Sequence, residues 1–143
     1  MLSKNEWQHL IPHKGAMCLL DTVVDWDETR IHVTAISHRD PHNPLRSDGG
    51  LRSVHLCEYG AQAMAIHGGL LAARDGFVAR PGFLVSLRAV KLFSTRIDEL
   101  AGDLDVRAEK LLAGDNAWQY AFRIEHDGAL LAEGRAAVMQ TPG

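Results

Sequence analysis

The sequence predicts an α+β protein in which one antiparallel sheet wraps around a long central helix. Two observations lead to this prediction. A strand–turn–strand pattern precedes a single long helical segment, and four strand-like segments separated by turn signals follow it. Successive strands without helices between them favour an antiparallel sheet, on which the single helix packs. With 143 residues, no internal repeats and no linker, residues 1–143 are expected to form one domain.

The first predicted element is a hairpin within residues 16–37, which read AMCLLDTVVDWDETRIHVTAIS. Its turn is placed at Asp27-Glu28-Thr29. In the second strand the apolar residues Ile31, Val33 and Ala35 alternate with polar ones, the period of a half-buried strand. Residues 38–50, HRDPHNPLRSDGG, contain two prolines and a Gly-Gly pair. They are therefore predicted to form an irregular loop.

The helix is predicted from roughly Ser53 to Arg74, with Asp75-Gly76 as its stop signal. Because a helical residue advances by about 100°, one narrow stripe carries His55, Glu58 and Gln62. Small residues elsewhere allow the sheet to approach closely: Ala61, Ala63, Ala65, Gly68 and Gly69. A curved sheet around such a helix is the hot-dog arrangement. One unit leaves part of its helix uncovered, so a homodimer or a higher homo-oligomer is expected.

The four strands after the helix are predicted at approximately 83–93, 104–112, 117–126 and 129–140. In the third of them one face carries Trp118, Tyr120, Phe122 and Ile124. Gly114-Asp115-Asn116 and Asp127-Gly128 are hairpin signals between neighbouring strands.

Composition and charge exclude several function classes. The net charge is −3, and acidic and basic residues are mixed along the chain, so neither nucleic-acid binding nor attachment to a membrane surface is expected. No apolar segment approaches the roughly 18 residues of a membrane span, and no secretory signal is evident. Cys18 and Cys57 lie far apart and form no CxxC pair, which argues against a disulfide framework or a zinc site. A cytoplasmic protein is expected.

Glu58 is the most informative polar residue, because it lies near the start of an apolar helix. One interpretation is a structural ion pair. The other is catalytic: an apolar setting favours the protonated carboxyl, which then exchanges protons near neutral pH. Gln62, one turn later, would orient it. Backbone N–H groups at the helix start, around Ser53, Val54 and Leu56, would hold a thioester carbonyl oxygen. An acid beside such donors suits elimination or hydrolysis at a thioester.

A catalytic acid of this kind needs a base, and histidines are the candidates. His42 lies in the loop before the helix, and His55 lies one turn before Glu58 on the same stripe. The residues do not decide between them. His67 falls on another side of the helix and is interpreted as a buried core or interface residue. No metal site is expected, because His38 and His42 share a spacing of four residues but Pro41 interrupts any helix there.

Several segments resemble hot-dog 3-hydroxyacyl-[acyl-carrier-protein] dehydratases, closest to the branch associated with aryl-polyene biosynthesis. The N-terminal LIPHKGAMCLLDTVVDWD is similar to a Leu-Pro-His-Arg segment that runs into Leu-Leu-Val-Asp. EYGAQAMAIHGG is similar to the helix in which a catalytic acid is followed four residues later by Gln. PGFLVSLRAVKLFSTRI and DGALLAEGRAAVMQ resemble two of the family's strands. The likeness covers nearly the whole chain.

The resemblance implies dehydration of a 3-hydroxyacyl chain, carried on the phosphopantetheine arm of an acyl carrier protein, to a trans-2-enoyl thioester. No further cofactor is implied. Glu58 matches the helix acid, and His13 matches an N-terminal histidine that is interpreted as structural. The His-Phe-Pro-Gly loop that supplies the base in the wider family is missing here. Two alternatives therefore stay open: an acyl thioesterase, or a catalytically impaired subunit that binds acyl groups or carrier protein and pairs with an active dehydratase.

Overall fold

The computed structural model describes residues 1–13, 15–77, 82–114 and 116–140, without the side chain of Phe83. It consists of one sheet and one long helix. A short helix, α1, covers Lys4–Trp7, and the long helix, α2, covers Leu56–Arg74 after a 3-10 turn at Ser53–His55. The strands are β1 (Val23–Trp26), β2 (Arg30–Ala35), β3 (Gly82–Leu92), β4 (Leu104–Ala113), β5 (Ala117–His126) and β6 (Ala129–Gln140). The four strands after the helix are confirmed to within one residue, and the helix ends at Arg74 as predicted but begins three residues later than Ser53. The first strand of the predicted hairpin is shorter than expected, because residues Gly15–Met17 form a 3-10 turn and β1 begins only at Val23.

The six strands form one antiparallel sheet in the order β1-β2-β4-β5-β6-β3. At one edge of the sheet, Leu2 lies beside β1 and forms an antiparallel bridge with Val23. At the other edge, β3 pairs with β6 on one side only. The sheet is therefore open along β3, which is the edge where a further strand would add.

Of the two predicted hairpin turns, the structure describes one completely. Asp127 and Gly128 both have positive φ, 49° and 82°, as a two-residue turn of the I′ type requires. In the other turn Asp115 lies outside the described residues, as do the terminal residues 141–143 of the predicted domain.

The core lies between α2 and the concave face of the sheet. Ile31, Val33 and Ala35 of β2 are buried, which confirms the alternation predicted for that strand. On β5 the buried residues are Tyr120, Phe122 and Ile124. Trp118, predicted on the same face, is half-buried because it lies at the end of the strand.

The helix approaches the sheet most closely at Gly60. A Cβ atom at this position would lie 2.7 Å from Cδ2 of Phe122, and one at Gly134 of β6 would lie 2.8 Å from Cζ of the same ring. The Phe122 ring is thus enclosed by two glycines, one on the helix and one on the neighbouring strand. A small residue on α2 thus allows close approach of the sheet, but at Gly60 rather than at the predicted positions. Of those, Ala61, Ala65 and Gly68 are only half-buried, and Gly69 lies against Leu10 of the N-terminal segment.

One stripe of α2 is not fully covered by the sheet. Glu58, Ala61, Ala65 and Gly68 are half-buried, whereas most of the helix is buried. These positions are three or four residues apart and so lie on one face. The stripe is the part of the helix that a single hot-dog unit was expected to leave uncovered.

Candidate functional site

Glu58 lies in the first turn of α2, on this open stripe. Its side chain is 38% exposed. The sequence predicts an enclosed, apolar setting for this carboxyl group, and within the single chain the structure differs from that prediction. The reason is that the sheet covers the opposite face of α2. Glu58 is therefore accessible to a small molecule from solvent.

Gln62 orients Glu58 and also connects α2 to the N-terminal segment. Its side chain is fully buried. The Nε2 group donates to the carbonyl oxygen of Met17 at 2.7 Å and, more weakly, to Oε1 of Glu58 at 3.5 Å. Its Oε1 accepts the backbone N–H of Leu19 at 2.9 Å. The contact between Gln62 and Glu58 is the one that their spacing predicts. The two bonds to the backbone of residues 17 and 19 could not be inferred from spacing.

The histidine beside Glu58 is His13. Its Nε2 atom lies 3.5 Å from Oε1 of Glu58, and its side chain is 28% exposed. The other ring nitrogen, Nδ1, is buried and has no hydrogen-bond partner among the described residues. Sequence reasoning assigned His13 a structural role, because nothing in a linear pattern brings a residue near the N-terminus onto a helix that begins 43 positions later. The only available signal was the resemblance of LIPHKGAM to a family segment.

His42 and His55 are placed differently from His13. His42 is exposed in the loop before α2, and its backbone N–H donates to Oδ1 of Asp40 at 2.8 Å. His55 is half-buried at the N-terminal cap of α2. In the described part of the chain, the carboxyl group of Glu58 contacts the imidazole of His13 and the side-chain amide of Gln62, each at 3.5 Å. The structure therefore brings together Glu58 and Gln62 of the predicted site residues, and adds His13.

The predicted oxyanion donors at the helix start are largely engaged within the chain. The N–H of Ser53 donates to the carbonyl oxygen of Thr95 at 3.0 Å. Leu56 donates to the carbonyl groups of the preceding 3-10 turn. Ser53 is buried and Val54 is exposed, so the two do not form one surface. A thioester oxygen bound here would have to displace these bonds or use other N–H groups of the first turn.

Residues 94–98, which follow β3, fix the start of α2. The hydroxyl of Ser53 donates to the carbonyl oxygen of Ser94, and the N–H of Leu51 donates to Oδ1 of Asp98 at 2.9 Å. Arg96 binds both oxygens of Asp98, at 3.2 and 2.8 Å. Together the hydrogen bond from Arg96 and the N–H of Leu51 hold the pKa of Asp98 well below its usual range. The edge strand and the helix that carries Glu58 are thus connected directly.

A buried hydrogen-bond network anchors the loop before α2. The hydroxyl of Tyr59 lies 2.8 Å from Oγ of Ser37 and accepts from Nδ2 of Asn43 at 3.1 Å. Burial raises the pKa of Tyr59, which keeps this hydroxyl protonated. The loop is irregular, as predicted, but its position against the helix is fixed.

The described residues form neither a metal cluster nor a membrane-spanning helix. No cluster of three metal-binding side chains occurs within the described ranges. In the same part of the chain, no helix is long and apolar enough to cross a membrane. Two surface cavities of about 520 and 440 Å³ are lined by residues other than His13, Glu58 and Gln62. Neither cavity therefore includes the candidate site.

Comparison with known proteins identifies the family and the fold. A family model described as ApeP-like, ApeP dehydratase, matches residues 5–142. A comparison with curated protein sequences found no match. The dehydratase heterocomplex ApeI:P from Xenorhabdus doucetiae has a similar fold, with a TM-score of 0.86 at 23% identity over 99% of this chain and 93% of that chain.

Two more solved structures share the fold at lower similarity. Conserved protein PA5202 from Pseudomonas aeruginosa has a TM-score of 0.68 at 16% identity, covering 94% of this chain and 98% of that chain. A hypothetical thioesterase from Streptococcus pneumoniae TIGR4, solved with coenzyme A, has a TM-score of 0.61 at 12% identity, covering 84% of each chain. These likenesses confirm the predicted hot-dog fold. The similar structures include both a dehydratase and a hypothetical thioesterase, so the fold alone does not identify the reaction, which must be inferred from the site.

Proposed function

This chain belongs to the ApeP-like dehydratase family, and from that premise we propose that it removes water from a 3-hydroxyacyl thioester. The thioester is carried on the phosphopantetheine arm of an acyl carrier protein, and the product is a trans-2-enoyl thioester. The observation that carries the proposal is the position of Glu58. Its carboxyl group lies in the first turn of the central helix, 38% exposed and hydrogen-bonded by Gln62. No metal or further cofactor is required for this reaction.

Glu58 protonates the departing hydroxyl group in this proposal. A carboxylic acid is suited to this step, because hydroxide is a poor leaving group and water is a good one. Gln62 is fully buried and bonded to the backbone at two points, so it holds the carboxyl group from a rigid support. The exposed side of Glu58 is where the substrate enters.

The active form is proposed to contain a second hot-dog subunit. Strand β3 forms an open edge, and apolar side chains on both of its faces are more than a third exposed: Leu84, Val85, Leu87, Val90 and Leu92. Such an edge favours pairing with another strand. In this proposal the partner also packs on the open stripe of α2 and encloses Glu58, which would give it the apolar surroundings that the single chain lacks. The partner is a second copy or a homologous dehydratase chain, and the ApeI:P heterocomplex supports the latter.

The test is turnover of a 3-hydroxyacyl carrier protein by the wild type, by Glu58→Gln and by Glu109→Gln. Glu109 is an exposed glutamate on β4, so its variant is the matched control. We expect enoyl product from the wild type and the control, and a loss of roughly 10²–10⁴-fold in Glu58→Gln. Unchanged activity in Glu58→Gln would remove Glu58 from the mechanism.

Hydrolysis of the thioester is the second candidate, because a carboxylate open to solvent is also placed to activate water. The same reactions, followed with a thiol reagent, separate the two functions. Hydrolysis releases a free thiol, whereas dehydration leaves the thioester intact. Thiol release without enoyl product would replace dehydration by hydrolysis. Binding of the carrier protein with neither product would favour a subunit that works only beside an active dehydratase.

A further inference from the structure

We infer that His13, rather than His42 or His55, is the second catalytic residue, and that its Nε2 atom removes the α-proton of the substrate. This inference rests on the proposed dehydration and names the base that the proposal leaves open. It assigns the base to the same chain as Glu58. A pair of proton-transferring groups within one subunit does not require a histidine from a partner.

The first argument is that His13 is held in position. From α2, Gln62 binds the backbone of Met17 and Leu19 in the N-terminal segment. On the other side of His13, Ile11 is buried in the core. The backbone of Cys18 closes the intervening turn by donating to the carbonyl oxygen of Gly15 at 3.0 Å. The segment that carries His13 is therefore fixed to α2 by the same glutamine that orients Glu58.

The second argument is distance and access. Nε2 of His13 and Oε1 of Glu58 are 3.5 Å apart, and both side chains are partly exposed, at 28% and 38%. A substrate can therefore contact both groups at once. The α-hydrogen and the β-hydroxyl lie on neighbouring carbons of the substrate, so one substrate can present the first to His13 and the second to Glu58. His42 and His55 form no such pair with Glu58 among the described residues.

The third argument is that the proton balance closes within the pair. The Nε2 lone pair of neutral His13 takes the α-proton, and the electrons of that C–H bond form the new carbon–carbon double bond. The β-carbon–oxygen bond breaks, and the oxygen leaves as water with the proton of Glu58. The pair is then an imidazolium beside a carboxylate. A proton passes back from His13 to Glu58 across the gap between them, and the starting state is restored.

The experiment compares His13→Gln with His42→Gln and His55→Gln on the same 3-hydroxyacyl carrier protein. We expect kcat to fall roughly 10²–10⁴-fold in His13→Gln alone, with KM and thermal melting close to those of the wild type. The pH profile of the remaining activity should lose the limb that reports the base. Retention of kcat within about threefold in His13→Gln, or loss in either of the other variants instead, would overturn the inference.

A second measurement does not depend on turnover. In the NMR spectrum, Glu58→Gln should shift the ring resonances of His13 and leave those of His42 unchanged, because of these two histidines it is His13 that contacts the carboxylate. Unperturbed His13 resonances would contradict the contact on which the inference rests. If the wild type does not dehydrate the substrate but Glu58→Gln still shifts the His13 resonances, the proposed function is wrong, whereas the contact between His13 and Glu58 is confirmed. If it dehydrates and His13→Gln is fully active, only the assignment of His13 fails.

Discussion

Two of the titratable side chains on helix α2 have opposite surroundings, Glu58 near its start and His67 in its second half. His67 is fully buried, and both ring nitrogens are bonded, Nδ1 to the hydroxyl of Tyr120 at 2.8 Å and Nε2 to the carbonyl oxygen of Asp27 at 2.7 Å. Glu58 is partly exposed, and within the described ranges its side-chain contacts are long, at 3.5 Å. A fully satisfied, enclosed polar group stabilises the fold, whereas an exposed group with loose partners is free to bind and exchange protons.

The largest expected effect is on activity. Substitution of Glu58 should lower activity and leave stability unchanged, whereas substitution of His67 should do the reverse. Glu58→Gln should lower kcat by roughly 10²–10⁴-fold while its free energy of unfolding stays within about 0.5 kcal/mol of the wild type, as for other substitutions away from the core. Activity assays and chemical denaturation of the same preparations check this. A strongly destabilised Glu58→Gln would show that the comparison is wrong, because Glu58 would then be structural.

The next effect concerns stability alone. His67→Leu should lower the free energy of unfolding by about 2–4 kcal/mol, because the Tyr120 hydroxyl and the Asp27 carbonyl lose their partner and each unsatisfied buried group costs about 1–3 kcal/mol. Tyr120→Phe removes only one of these bonds and should cost less. Denaturation curves of the two variants give the ranking. Activity per folded molecule should remain close to that of the wild type in both.

A matched pair of glycines compares the two faces of the helix. Gly60→Ala should destabilise the protein by about 1–3 kcal/mol, because the added methyl group would overlap Phe122 in a packed core. Gly68→Ala meets no atom within 4 Å in the single chain, so it should stabilise α2 by up to about 1 kcal/mol. Thermal melting measures both. Destabilisation by Gly68→Ala at high protein concentration only would indicate that a partner subunit packs on this stripe.

The smallest effect is the dependence of stability on pH. Burial lowers the pKa of His67 and of His38, so the unfolded chain binds protons more readily than the folded chain below about pH 6.5. Their contribution to stability is complete above that pH and decreases as the pH falls towards the lowered folded values. Denaturation between pH 7 and pH 5 should therefore show decreasing stability. His67→Leu should flatten this slope, and an unchanged slope would exclude His67 as a source of it.

The sequence predicted the fold well because its strongest patterns are local. The alternation in β2 and along one face of β5 follows from the two-residue period of a strand, and the turn at Asp127-Gly128 from the need for positive φ. The bulge in β3 was not predicted. There Ala89 has a φ of +53° where the pairing with β6 shifts register. Nothing in the local sequence marks this position, because an alanine at positive φ is set by the pairing of the neighbouring strand.

Part of the site followed from the sequence, and part did not. Glu58 and Gln62 were identified from their spacing of one helical turn, which is again local. His42 was a candidate base because it lies in the loop before the helix, and His55 because it lies one turn before Glu58 on the same stripe. The structure instead places His13 beside Glu58. Proximity along the chain is a poor guide here, because the N-terminal segment folds back over α2 and is held there by the buried side chain of Gln62.

By itself, then, the sequence determined the elements, their order and the acid on the helix, since these depend on patterns that repeat within a few residues. The tertiary structure alone decided which histidine meets that acid, how far the acid is exposed and which sheet edge is left open. Those properties depend on contacts between residues far apart in the chain, and such contacts are fixed only when helix and sheet have packed together.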